Sequence, residues 1–252
     1  MKNNEKSKMN KINTYIDIHS HILPGIDDGS ENFLMSMKML RIASADRIRE
    51  IILTPHNKPG RHNADGEKII SLIKKLQKKA DDENLGLKLY PGNELYYRSG
   101  LSEMITEGSV CTLADSDYVL AEFSPMDDYD YIRNGIYSLT AEGYNPILAH
   151  VERYSKVCVR TDRIEDLIEM GCYIQINAGS IMGKFGLGTK MQAKRILSGH
   201  LAHFVATDAH DTKKRAPRMA DCAAYIKKKY GEDYMRELFY ENPMHVIRNE
   251  YI

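Results

Sequence analysis

The chain has 252 residues, 42% of them hydrophobic, and its 35 Lys and Arg balance 35 Asp and Glu. That is enough apolar material for one large α/β domain or two small ones, while the zero net charge excludes a global field that would recruit nucleic acid or a membrane surface. No stretch approaches the roughly 18 uninterrupted apolar residues of a membrane span, so membrane insertion is not expected.

The first thirteen residues, MKNNEKSKMNKIN, are basic and polar, and the apolar run behind them is broken by Asp17 and His19 and lacks a small-residue cleavage site. They read as a disordered arm rather than a signal peptide, with Met9 as an alternative start and residues 14–252 as one domain. Short β-rich runs then alternate with amphipathic ones. The strands expected are YIDIH (15–19), EIILTP (50–55), LKLYPG (87–92), YVLAEF (118–123), NPILAH (145–150), CYIQIN (172–177) and HFVATD (203–208). Helical periodicity marks NFLMSMKMLRIA (32–43), EKIISLIKKLQKKA (67–80) and IEDLIEM (164–170). This alternation argues for a parallel sheet, and seven strands in one unbroken series argue for a sheet closed into a barrel. Near the end, ENPMHVIRN reads as a helix start, with Asn242 at the N-cap and Pro243 in the first turn.

In parallel barrels the chemistry lies at the C-terminal ends of the strands, and the ionisable residues fall there. The first strand ends in His19 and His21, with Asp27 and Asp28 in the next loop; the second runs into His56 and the third into Glu94. Glu122 closes the fourth, His150 the fifth, and the seventh delivers Asp208 and His210. The sixth ends at Asn177, which is no strong ligand. Residues i and i+2 of an extended chain share a face, so His19 and His21 aim at one place, with Asp17 expected to support them. Each residue alone has an ordinary reading, as a hydrogen-bonded core histidine or an ion-paired glutamate. Buried together they would cost on the order of several kcal/mol unless something pairs them. A metal cluster does so. A transition ion takes about four to six donors, so two or three ions sharing a carboxylate fit the set, and imidazole with carboxylate but no thiolate points to Mn, Fe or Zn. His62, His200, His203 and His245 read as structural and none is assigned as a ligand, with the pocket mouth as the lesser alternative for His62.

Cys111, Cys158, Cys172 and Cys222 are scattered, with no C-x-x-C pair, which suits a reducing cytoplasm. None is followed six positions later by arginine, so the C-x5-R phosphate loop of thiol-based tyrosine phosphatases is missing.

The series D-x-H-x-H (17–21), DDG (27–29), P-H (55–56), GNE (92–94), AEF (121–123), H-V-E-R-Y (150–154) and T-D-A-H (207–210) resembles the PHP family of metal-dependent phosphoesterases. Within that family it is most similar to the CpsB/YwqE-type bacterial protein-tyrosine phosphatases of capsule and exopolysaccharide systems, over the chain from about residue 14 onward. The resemblance implies a PHP-type distorted (β/α)7 barrel with a trinuclear centre. His19, His21, Glu94 and Asp208 would surround one ion, His56, Glu122 and His150 a second, and Asp28 with His210 a third, with Glu94 bridging. Manganese is the ion expected, with Fe and Zn as alternatives. Arg153 and Arg215 match the family's phosphate-contacting arginines, and a hydroxide held between metals would attack phosphorus without a covalent enzyme intermediate. The implied substrate is a phosphotyrosine protein, the Tyr-rich tail of a bacterial tyrosine kinase.

The loop after His56, NKPGRHN, departs from relatives that are basic or His-rich immediately after that histidine, which puts its substrate contacts in doubt. The rival readings are a small-molecule phosphatase of histidinol-phosphate type, a nucleic-acid phosphodiesterase and a metal-stabilised binding protein. Balanced charge and the lack of an aromatic-laced basic stripe weigh against nucleic acid. Loops 22–30, 57–66, 124–130 and 180–188 are short, leaving an open rim suited to a phosphate carried on a polypeptide.

Overall fold

The computed structural model describes residues 14–252; the arm expected over residues 1–13, and Met9 with it, lies outside the described residues. The strands are β1 (Tyr15–Asp17), β2 (Ile48–Leu53), β3 (His56–Asn57), β4 (Lys88–Pro91), β5 (Glu94–Tyr96), β6 (Tyr118–Glu122), β7 (Asn145–Leu148), β8 (Tyr173–Asn177) and β9 (Phe204–Ala206). They form two runs, β1-β2-β4 and β3-β5-β6-β7-β8-β9, with every pair parallel.

The two runs are parts of one ring. β2 and β3 are a single strand interrupted at Thr54-Pro55, where proline has no N–H to give the ladder, and β4 and β5 are another, interrupted at Gly92-Asn93. Asn93 repairs the gap by donating its side-chain N–H to the Pro55 carbonyl, at 2.9 Å, and a Cβ at Gly92 would sit 2.8 Å from Ile52 Cγ2, so the strands approach closely only because it is glycine. The ring closes where Ser20 bridges Ala209 and the His21 N–H donates to the Ala209 carbonyl at 2.8 Å. Seven strand positions thus make the expected closed α/β barrel.

Side-chain alternation fills it. Tyr118 and Leu120 of β6, Ile147 of β7 and Phe204 and Ala206 of β9 point inward into one apolar cluster, with Ile16 and Ile52. Val119, Leu148 and Val205 point outward to the surrounding helices. The helices expected at 32–43, 67–80 and 164–170 are Phe33–Ala45, Gly66–Asp82 and Thr161–Glu169. The first two start at side-chain caps, Asn32 accepting from the Met35 N–H and Asp65 from the Lys68 N–H. The expectation for Asn242 is corrected: its backbone is already helical, because the helix arrives through a π turn over Glu237–Glu241. That wide turn absorbs the missing N–H and ring of Pro243, and the Asn242 side chain instead donates to the His203 carbonyl at 2.9 Å. No helix among the described residues is long and apolar enough to cross a membrane.

Candidate metal centre

At the C-terminal rim, His19 and His21 turn their rings toward each other. His19 Nδ1–H donates to Gln175 Oε1 at 3.0 Å and His21 Nδ1–H to the Asp27 carboxylate at 2.7 Å. Each acceptor fixes the tautomer, leaving a lone pair on Nε2 of the neutral ring. The two Nε2 atoms are 3.2 Å apart. Two lone pairs cannot satisfy each other at that distance, whereas one cation between them satisfies both. Glu94 Oε2 lies 3.5 Å and 3.4 Å from these nitrogens, and Asp208 Oδ1 3.6 Å and 3.5 Å. These four side chains would hold a divalent ion between them, their donor atoms being close enough to share one coordination shell.

Two further groups adjoin this one. His56, Glu94 and Glu122 bring donor atoms within 4.8 Å of one another, as do His21, Asp28, His56 and His210. His150 Nε2 joins them from the side, 2.7 Å from Glu94 Oε1. His56 Nδ1 lies 2.7 Å from Glu94 Oε2, an ion-pair distance, yet both atoms are buried with no hydrogen-bond partner among the described residues. At that distance it is the angle, not the separation, that denies them a hydrogen bond. Glu122 Oε2 is orphaned in the same way, although Lys58 Nζ stands 2.8 Å from it. All nine residues expected from the sequence are therefore at one rim, and the unpartnered atoms of His56, Glu94, Glu122 and His150 suit a cluster of divalent ions.

The electrostatics follow from the crowding. With no ion bound, burial pushes His19 and His21 down, but Glu94 and Asp208 beside His19, and Asp27 beside His21, outweigh it and hold both rings above the ordinary histidine range. Their lone pairs are free for a metal only once the added proton is displaced. Burial raises Glu94 while His19 and His56 take it well below the usual carboxylate range. Asp27 is held at about 2, burial being overcome by His21. Burial lifts Asp17 to about 6 against the hydrogen bonds from Thr207. Asp17 supports the site differently from the expectation, touching neither imidazole: it accepts the Thr207 N–H at 3.0 Å and so ties β1 to the end of β9.

Local backbone explains the aim of several donors. Gly29 of the DDG loop packs directly on His21, whose carbonyl oxygen would be 2.1 Å from any Cβ there. His150 and Asp208 have φ of 36° and 50°, the left-handed region that costs such residues about 1–3 kcal/mol. Beyond His150 a tight turn at Val151–Arg153 sends Arg153 back over the rim, where Arg153 Nη2 meets Asp208 Oδ2 at 2.7 Å and its guanidinium lies 5.8 Å from the Phe185 ring centre. Arg215 Nη2 meets Asp208 Oδ1 at 2.7 Å, and its Nε–H has no acceptor among the described residues. The Asp211 side chain folds this second loop, accepting the Lys213 and Arg215 N–H groups.

Sequence reasoning missed the sixth strand's part. Gln175 Oε1 holds both the His19 ring and the His150 N–H, and Gln175 passes a hydrogen bond to Asn177, which donates to Asp208 Oδ2 at 2.7 Å. Neutral amides carry no ligand signature, and their inward parity in a buried strand was the one available sign. His62, expected as a structural loop residue, instead lines a cleft at the rim. The four cysteines are free and buried, away from these contacts.

Residues 15–248 match the model of a family described as capsular polysaccharide synthesis, CpsB/CapC. The tyrosine-protein phosphatase CpsB of Streptococcus pneumoniae is 34% identical over 242 residues, covering 94% of this chain and 100% of the relative. The tyrosine-protein phosphatase YwqE of Bacillus subtilis is 32% identical, covering 94% of this chain and 93% of the relative. A chain from the crystal structures of YwqE from Bacillus subtilis and CpsB from Streptococcus pneumoniae, metal-dependent tyrosine phosphatases, superposes with a TM-score of 0.87 at 33% identity, covering 94% of this chain and 96% of that chain.

Proposed function

Because the chain belongs to the CpsB/CapC family, we propose that it is a metal-dependent protein-tyrosine phosphatase. The observation that carries this reading is the rim itself: nine converging imidazoles and carboxylates, four of them with a buried atom that has no hydrogen-bond partner among the described residues, flanked by two arginines. His19, His21, Glu94 and Asp208 would hold one ion, His56, Glu122 and His150 a second with Glu94 shared, and Asp28 with His210 a third. Manganese fits the donor set, as do Fe and Zn. When bound, such ions supply Lewis acidity, bringing a water toward neutral pKa and setting positive charge against the phosphoryl oxygens.

The chain's own residues supply the rest. Asp27 and Gln175 fix the tautomers of His21 and His19, so that their Nε2 lone pairs stay available. Arg153 and Arg215, paired with Asp208 in the free protein, would turn to give bidentate contacts to a phosphoryl group. A phenolate leaves more readily than an alkoxide, so no side chain is required as an acid for phosphotyrosine. The buried cysteines take no part, since burial pushes Cys158 and Cys172 up to about 12 and thiolate is the reactive form. The open rim favours a phosphate on a polypeptide, with a tyrosine kinase tail as the proposed partner.

The test is kcat/KM for a phosphotyrosine peptide, a phosphoserine peptide and histidinol phosphate at matched Mn²⁺. Phosphotyrosine should lead clearly, a strong chelator should abolish turnover, and a thiol alkylator should leave it within a few-fold. A preference for histidinol phosphate, or inactivation by the alkylator alone, overturns the reading.

A further inference from the structure

Beside the donor cluster lies a cleft of about 320 Å³, walled by Ile26, Asp28, His56, Lys58, Arg61 and His62. Its outer wall is the loop after His56, in which Asn57, not a basic residue, follows that histidine directly. The fold returns positive charge to the rim from further along the chain.

The loop is built to hold that position. The Asn63 side chain accepts the Lys58 N–H at 2.9 Å and donates to the Lys58 carbonyl at 2.8 Å, and the Arg61 N–H reaches the same carbonyl at 3.3 Å. The turn passes through Gly60 at φ +70°, where any side chain is strained. The cleft's other charges are engaged: Asp27 by His21 and by the Gly29 and His56 N–H groups, Asp28 by His56 and His210, and Lys58 by Glu122. The exposed Arg61 guanidinium and His62 ring have neither hydrogen-bond nor ion-pair partner among the described residues.

We propose that this cleft is an anion subsite that reads an acidic group flanking the scissile phosphotyrosine. The group is a carboxylate or a neighbouring phosphotyrosine, and the proposal rests on the phosphatase reading above. A substrate chain seated with its phosphate at the rim continues past it, and the cleft is the adjoining space. Arg61 offers the planar fork that carboxylates and phosphates accept bidentately, and Ile26 gives an apolar wall for the stem that carries the anion. A clasped loop loses little freedom on binding, so the contact keeps its affinity.

The experiment uses three peptides carrying phosphonomethyl-phenylalanine, a non-hydrolysable phosphotyrosine mimic, with neutral flanks, glutamate flanks or a second phosphonate. Their Kd values for the Mn-loaded protein are read by fluorescence anisotropy at two salt concentrations. Anionic flanks should tighten binding about tenfold, an advantage that shrinks with salt and is reversed in Arg61→Glu. The glutamate and phosphonate arms tell which anion is preferred. Equal affinities for all three peptides, or the wild-type order surviving in Arg61→Glu, overturn the subsite. Turnover of the matching phosphotyrosine peptides separates the two readings. A protein that cleaves neutral and acidic peptides and binds their mimics equally is a phosphatase without this subsite; one that binds acidic mimics tightly but cleaves none keeps the subsite and loses the phosphatase.

Discussion

The two ends of the barrel are filled by opposite chemistry. Below the rim, Tyr118, Leu120, Ile147, Phe204 and Val246 pack into a dry cluster in which every contact serves stability. At the rim, five histidines and four carboxylates occupy a volume of the same kind, with orphaned atoms and two left-handed backbones. The floor is what folding selects; the rim is tolerated because something else completes it. Even the histidines divide this way. The five donor histidines at the rim have carboxylates against them, while His203, at the start of β9 near the floor, has a backbone N–H and the Tyr173 ring.

The sharpest way to break the comparison is to remove one large side chain from each end. Phe204→Ala should lower stability by about 3–5 kcal/mol, the cost of a buried cavity, while the folded fraction keeps its kcat/KM. His56→Ala should do the reverse: turnover falls by at least about 10³-fold, as expected when several kcal/mol of metal-derived stabilisation is lost. Unfolding of the metal-free variant should then occur at or above the wild-type midpoint. Denaturant titration and phosphatase assays on both variants decide it. If metal-free His56→Ala is as unstable as Phe204→Ala, the rim is a structural core and the contrast fails.

Arg153 and Arg215 sharpen the comparison within the rim itself. Each grips an oxygen of Asp208, yet neither has a lone pair to offer a metal. Each alanine variant should lose about 10²- to 10³-fold in kcat/KM, the scale of one lost transition-state charge stabiliser. Metal content, measured by elemental analysis, should stay near wild type. Loss of metal in step with activity would make the arginines supports of Asp208 rather than contacts to the substrate.

How much of this was legible in the sequence depends on what each residue does to the local pattern. Glu122 follows Tyr118 and Leu120 in strict alternation, so its inward aim could be read directly. His150 shares parity with Leu148, which faces the helices. Only the left-handed turn at His150 brings the ring inside, and a period of two does not encode that. Gln175 and Asn177 were readable as inward but not as functional, since amides become specific only through partners supplied by other strands. The misplaced cap at Asn242 has a similar cause: a proline in the first turn and a proline following a π turn look alike in sequence. Residues whose role lies in their own chemistry were found; those whose role lies in a neighbour were not.

The smallest effect expected is at the floor, and it is a pH dependence. His203 accepts the Ile174 N–H on Nδ1 at 3.1 Å, and burial pushes its pKa down to about 4 from an ordinary 6.5. The folded protein therefore excludes a proton that the unfolded chain binds below pH 6.5. His203 contributes its full stability above that pH and loses it progressively as pH falls toward 4, by up to about 3 kcal/mol. The rim also titrates in acid, so the informative quantity is a difference. His203→Asn keeps an acceptor for the Ile174 N–H and removes the proton site, and subtracting its stability curve from that of the wild type cancels what the two share. The difference should be flat above pH 6.5 and should move against the wild type between pH 6.5 and 4. Parallel curves through that window would show that His203 is solvated like an ordinary surface histidine, and that the floor is less dry than its apolar neighbours make it.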